Sequence, residues 1–157
     1  MRHAKSSWSD PSLSDYDRPL NNRGKRAAAT MGKLMNDLEI SPGMIFCSSS
    51  RRARDTLKYL QESYLIDCPI EYLEELYHAD ISIYTDIISS LPGSIDSAML
   101  IGHNPDMEFF LEIICDSHES MPTAALAEIS FDSDNWLDIS NDINVHLENL
   151  WRPKDLN

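Results

Sequence analysis

Between residues 20 and 38, Ala27, Ala28, Met31, Leu34, Met35 and Leu38 recur at three-and-four spacing, the pattern of a helix with one apolar face. Ser41-Pro42-Gly43 ends it. Met44-Ile-Phe-Cys47 is then a short unbroken apolar run, which predicts a strand buried on both faces. Helical spacing returns over 51–64, with Ala53, Leu57, Leu60 and Tyr64 on one side. A short strand over 69–73 follows, then a helix over 80–91 closed by Pro92-Gly93. Ala98-Met-Leu-Ile101 predicts a second buried strand, and a helix runs over 105–115. Pro105 suits its first turn, where a missing N–H costs nothing. The last third reads differently: 124–131 and 143–150 are strand-like, the second with clear alternation, and predict an edge hairpin.

Alternating strands and helices imply an α/β fold, a three-layer sandwich in which helices cover both faces of a mostly parallel central sheet. The 157 residues carry no internal repeat or linker and read as a single domain over 1–157. In such sheets ligands bind beyond the carboxyl ends of the strands. Three residue groups sit at that place: Arg2-His3, the stretch Ser48 to Arg52, and His103 after Gly102.

Charge narrows the choice of ligand. The net charge of −13 argues against nucleic acid, which is held by clustered Lys and Arg. Against that acidic background Arg51, Arg52 and Arg54 form a local cationic site, suited to a small anion. No apolar stretch approaches the ~20 residues of a membrane span, and no basic segment leads into an apolar one as in a secretion signal. Cys47, Cys68 and Cys115 are scattered and odd in number, which fits a reducing, cytoplasmic setting and three small core residues. His3 and His103 lack the cysteine or paired carboxylates that would complete a metal set, so neither metal nor cofactor is expected. Asp132, Asp134 and Asp138 lack the glycine and terminal glutamate of a calcium loop. His78, His118 and His146 read as surface residues, and Trp8, Trp136 and Trp151 as packing or rim residues.

At these residues the chain resembles the histidine phosphatase superfamily, and within it the small SixA-type phosphohistidine phosphatases. The resemblance lies in Arg2-His3-Ala4-Lys5-Ser6-Ser7-Trp8, in Asp17-Arg-Pro-Leu-Asn-Asn-Arg-Gly-Lys-Arg-Ala27, and in Ser48 to Thr56. It continues through Leu76-Tyr-His-Ala79, Ile101-Gly-His-Asn-Pro105, Met121-Pro-Thr-Ala-Ala125 and Arg152-Pro-Lys154. The resemblance implies a mostly parallel sheet between helices and metal-independent phosphoryl transfer through a phosphohistidine. His3 is then the nucleophile, Arg2 and Arg52 hold the phosphoryl oxygens, His103 donates a further hydrogen bond, and Ser6 contacts the phosphate. Arg51 and Arg54 are expected to be solvated, and backbone N–H groups opening the 51–64 helix to assist anion binding. Glu74, Glu75, Asp80, Tyr77 and His78 are candidate general acids, with none assigned.

The implied substrate is a histidine-phosphorylated protein, such as a phosphotransfer domain or phosphocarrier, met by a monomer. The alternatives are a phosphatase for small phosphorylated metabolites and an inactive phosphate-binding interaction module. One departure stands out. In the family a full apolar strand precedes the Arg-His pair, whereas here only Met1 does, so the first strand is expected to be truncated. The expectation is a true start upstream of Met1.

Overall fold

The computed structural model describes residues 1–140 and 144–156. Its centre is a three-stranded parallel sheet in the order β2-β1-β3, formed by β1 (Met44–Ser48), β2 (Ile70–Leu73) and β3 (Ala98–Ile101). Four helices flank it: α1 (Asn22–Asp37), α2 (Arg51–Leu60), α3 (Ile81–Ser89) and α4 (Asp106–Cys115). A two-stranded antiparallel ribbon, β4 (Leu126–Phe131) and β5 (Val145–Trp151), completes the fold.

Strand alternation divides the core in two. Ile45, Cys47, Met99 and Ile101 pack with Met31 and Met35 of α1 and Leu57 and Leu60 of α2. Met44, Phe46, Ala98 and Leu100 point the other way, to Tyr84 and Ile87 of α3 and Phe110 and Leu111 of α4. Successive side chains of a strand face opposite sides, so two unbroken apolar runs suffice to hold a helix layer on each face. Burying each such side chain contributes roughly 1.5–3 kcal/mol.

Element ends are set by capping. Asn21 caps α1 by accepting the Gly24 N–H at 2.8 Å, so the helix starts after Leu20, which instead bridges to Ser6. The predicted 51–64 helix stops at Leu60; Tyr64 still reaches the core and its hydroxyl donates to the Ile40 carbonyl at 2.7 Å. Asp80 caps α3. β4 begins two residues later than predicted, because Ala124 takes a left-handed φ of 67° and the Ala125 N–H turns back to the Pro122 carbonyl. The ribbon partner predicted from 143 is seen from Val145; Ile143 lies outside the described residues.

Residues 1–3 are wedged between β3 and the approach to β4. The Met1 amine donates to the Leu100 carbonyl at 2.7 Å, and the His3 N–H to the Gly102 carbonyl at 3.0 Å. On the other side the Arg2 N–H donates to the Ala125 carbonyl at 2.9 Å, and the Ala124 N–H to the His3 carbonyl at 3.1 Å. An isolated parallel bridge, Arg2 to Gly102, stands where a truncated first strand is expected. A cleft of about 880 Å³ lies between β3 and β4, lined by Ala98, Leu100, Leu126, Ile129 and Trp136 among others. Gly102 is required by close approach: a Cβ there would lie 2.4 Å from the Tyr84 hydroxyl. Among the described residues no helix is long and apolar enough to cross a membrane.

Candidate active site

The site lies at the carboxyl ends of the strands, away from the large cleft. His3 follows the bridged N-terminal segment, Ser48 ends β1, Arg52 opens α2, and His103 follows β3. Their side chains meet. The His3 and His103 rings are 4.9 Å apart, and the Arg52 Nε donates to His3 Nε2 at 3.2 Å. His3, Arg52 and His103 are 8%, 7% and 4% exposed, so three polar side chains converge in a largely desolvated place.

His3 is oriented by its own backbone. Its Nδ1 donates to the Ala4 carbonyl at 2.7 Å, which leaves Nε2 without a proton and facing Arg52. Ala4 is itself fixed, because its N–H donates to Thr56 Oγ1 on α2 at 2.9 Å. Burial pushes the His3 imidazole down to about 4; the Ala4 carbonyl opposes this, and the Arg52 and Arg2 charges reinforce it. His103 is held lower still, at about 3, by burial and then by His3 and Arg52. Its Nε2 lies 2.9 Å from Ser48 Oγ and 3.3 Å from Ser50 Oγ. Arg2 anchors through Nη1 to the Met121 carbonyl at 2.7 Å, a carbonyl it shares with the Asn104 amide. The Nε of Arg2 and the Nδ1 of His103 are buried with no hydrogen-bond partner among the described residues, two polar atoms left over on residues of the site.

Both buried histidines bind a proton more readily when unfolded. Their stabilising contribution is full above the ordinary imidazole value of about 6.5 and is lost as pH falls, towards 4 for His3 and 3 for His103. Below pH 6.5 the wild type should therefore lose stability relative to His103→Gln, by about 1.4 kcal/mol per pH unit. Urea unfolding of both proteins at pH 7 and pH 5 measures this, and a pH-independent difference would contradict it.

A second group of residues forms the pocket's mouth. Asp15 has a half-exposed side chain that pairs with Arg18 Nη1 at 2.7 Å and Arg52 Nη2 at 3.0 Å. It also accepts from the Tyr77 hydroxyl at 2.8 Å, while its carbonyl accepts from Arg52 Nη1 at 2.6 Å. Arg18 is buried; it donates to Ser6 Oγ at 2.7 Å and lies 3.1 Å over the exposed Trp8 ring. Neither Asp15 nor Arg18 was singled out from the sequence. They stand in the irregular segment between Ser6 and α1, where no periodicity marks a side chain as inward, and the only signal was Arg18's place in the Asp17 to Ala27 block.

The remaining candidates sort by position. Ser6 is buried and accepts from Arg18, keeping its own hydroxyl hydrogen to donate. Arg51 and Arg54 are exposed, as expected. The N–H groups of Arg51 and Ala53 already donate to the Tyr16 and Ser50 carbonyls, so the start of α2 has fewer free donors for an anion than expected. Of the candidate acids, Asp80 is exposed and caps α3, accepting from the Ser82 and Ile83 N–H groups. Glu74 and Glu75 are exposed. Tyr77 is raised above the usual phenol range by burial and by its bond to Asp15, and its proton is already donated. His78 is exposed, at a left-handed φ of 60°, with its ring 4.1 Å from that of Tyr77.

Paired buried histidines with arginines at the carboxyl edge of a parallel sheet form a site whose fixed positive charge suits an anion. The chain belongs to the histidine phosphatase superfamily, branch 1, whose family model matches residues 1–91. An uncharacterised protein of Mycobacterium tuberculosis strain H37Rv is 34% identical over 105 residues, covering 67% of this chain and 63% of that protein. The match thus spans under two thirds of the relative. Among solved structures, the SixA protein of Agrobacterium tumefaciens, assigned as a phosphohistidine phosphatase, is 29% identical at a TM-score of 0.82, covering 98% and 95% of the two chains. The protein histidine phosphatase SixA bound to tungstate superposes at a TM-score of 0.86 with 20% identity over 100% and 97% of the chains, a likeness of fold.

Proposed function

We propose that this protein removes phosphate from phosphohistidine on a partner protein, by way of a covalent phosphohistidine on His3. The observation that carries the reading is the state of His3: Nδ1–H held by Ala4, and Nε2 unprotonated with an arginine against it. A nucleophile must be neutral to attack, and burial with two arginines nearby keeps His3 so well below neutral pH. Arg2, Arg52 and the proton-bearing nitrogen of His103 orient the phosphoryl oxygens and stabilise charge on them as the group moves. Phosphoryl transfer needs mainly such positioning and electrostatic stabilisation.

In the first half-reaction the His3 Nε2–P bond forms and the substrate's N–P bond breaks, its electron pair returning to the leaving nitrogen. A phosphohistidine protonated on its other ring nitrogen leaves as neutral imidazole, so no proton need come from the enzyme. In the second, water adds to phosphorus, the Nε2–P bond breaks, and dihydrogen phosphate leaves with His3 again neutral at Nε2. This balance matches a site whose buried histidines do not carry protons to give. It favours phosphohistidine over alkyl phosphate metabolites, whose alkoxide must be protonated.

The test is to incubate the protein with a radiolabelled phosphohistidine carrier and quench early samples in base. Loss of label from the carrier, with base-stable label transiently on His3, is the expected result. Turnover without any enzyme-bound label would overturn the covalent route.

A further inference from the structure

One carboxylate stands at the mouth of the pocket, fixed there by three donors. Asp15 is held by Arg18, Arg52 and Tyr77, two of them through short ionic contacts. Its carbonyl takes another donor of Arg52, so the main chain as well as the side chain is tied to the pocket. The carboxylate is half-exposed where His3, Ser6, Arg18, Arg52 and His103 are buried, which puts it at the outer end of the site. Its charge is felt at both rings, acting against the lowering of His3 and of His103.

Such a group can play one of two parts towards a leaving atom. It can give a proton, or it can attract a positive charge. Partial burial favours the protonated form, but the Tyr77 bond and the Arg52 and Arg18 contacts outweigh it and hold the carboxyl down to about 2. Asp15 is an anion throughout the working range, so the first part is closed to it. The second is open, because Tyr77 and the two arginines fix its position at no further cost in side-chain ordering when substrate arrives.

We propose that Asp15 is a specificity-determining residue, its carboxylate favouring substrates whose phosphoryl group sits on an imidazole ring protonated at its other nitrogen over phosphate monoesters. This rests on the phosphohistidine reading and gives it a structural cause. An imidazolium approaching the mouth meets an oppositely charged acceptor for its N–H, and the attraction orients the N–P bond towards His3. A monoester brings only anionic or neutral oxygen to the same place, where the carboxylate repels developing charge. His78, exposed beside Tyr77, is the rival device: a proton donor to the leaving oxygen there would serve monoesters instead.

The experiment compares kcat/KM for a phosphohistidine peptide and for p-nitrophenyl phosphate, in the wild type, Asp15→Asn, Asp15→Glu and His78→Ala. Asparagine keeps an oxygen for Tyr77 and the arginines but drops the charge. The ratio of the two specificity constants should fall about tenfold in Asp15→Asn, the worth of one charge-assisted hydrogen bond, and recover in part in Asp15→Glu. A parallel fall with both substrates, accompanied by weaker orthovanadate binding, would mean that Asp15 merely supports Arg52 and would overturn the proposal. So would an unchanged ratio in Asp15→Asn, or selectivity that collapses only in His78→Ala. A wild type that cleaves the aryl ester but leaves the phosphohistidine peptide intact would instead overturn the functional reading, and this proposal with it.

Discussion

His3→Ala should reduce turnover of a phosphohistidine peptide by about 10⁴-fold or more, as expected when a covalent nucleophile is removed. No neighbour can take its place. His103 is the nearest ring, but its Nε2 sits between two serine hydroxyls, and its pocket position is set by β3 rather than by the N-terminal segment. Arg2, Arg52 and Arg18 remain in the variant with their charges, so orthovanadate should still bind. Affinity without turnover is the signature to look for, by steady-state rates alongside calorimetric binding of vanadate. Substantial residual activity in a folded variant would show that phosphorus is attacked directly by water.

Arg52→Ala is expected to cost about 10²–10³ in kcat/KM, the usual worth of a donor aimed at developing charge. It should also move the pH profile. Protonated His3 cannot attack, so the wild-type acid limb should fall near pH 4. Removing the cation that donates to Nε2 lets His3 hold a proton more readily, which shifts that limb to higher pH. Arg52→Lys restores the charge without the fork that reaches His3 through Nε and Asp15 through both Nη atoms. It should therefore recover the acid limb more fully than the rate. Rates measured from pH 3.5 to 8 decide this; an acid limb unmoved in Arg52→Ala would mean that burial alone keeps His3 neutral.

Much of this arrangement was legible in the chain. The runs at 44–47 and 98–101 read as strands buried on both faces, and they form two of the three sheet strands because helices with matching apolar stripes lie on either side. That logic places Arg2-His3, the stretch Ser48 to Arg52 and His103 at one edge, and the family resemblance singles out Arg52 within that stretch. Two kinds of information were not local. Helix ends followed hydrogen bonds such as Asn21 to Gly24, and the late start of β4 followed the left-handed turn at Ala124, which apolar spacing does not encode. The mouth of the pocket was the greater omission. Asp15 and Arg18 share one irregular segment, far in sequence from Tyr77, a residue weighed only as an acid, and what makes the three a unit is a shared carboxylate that no pattern of residue types announces.

The cleft between β3 and β4 also bears on how copies of this protein behave towards one another. Its walls are largely apolar side chains of β3 and β4. Apolar surface of that kind favours association between molecules. The excess of 26 acidic over 13 basic residues works against it, a repulsion that reaches about 8 Å at physiological salt and shrinks as salt is added. The acidity that looked like mere background in the sequence thus acts as colloidal protection for an apolar cleft, strongest in dilute neutral buffer and weakest in acid or brine.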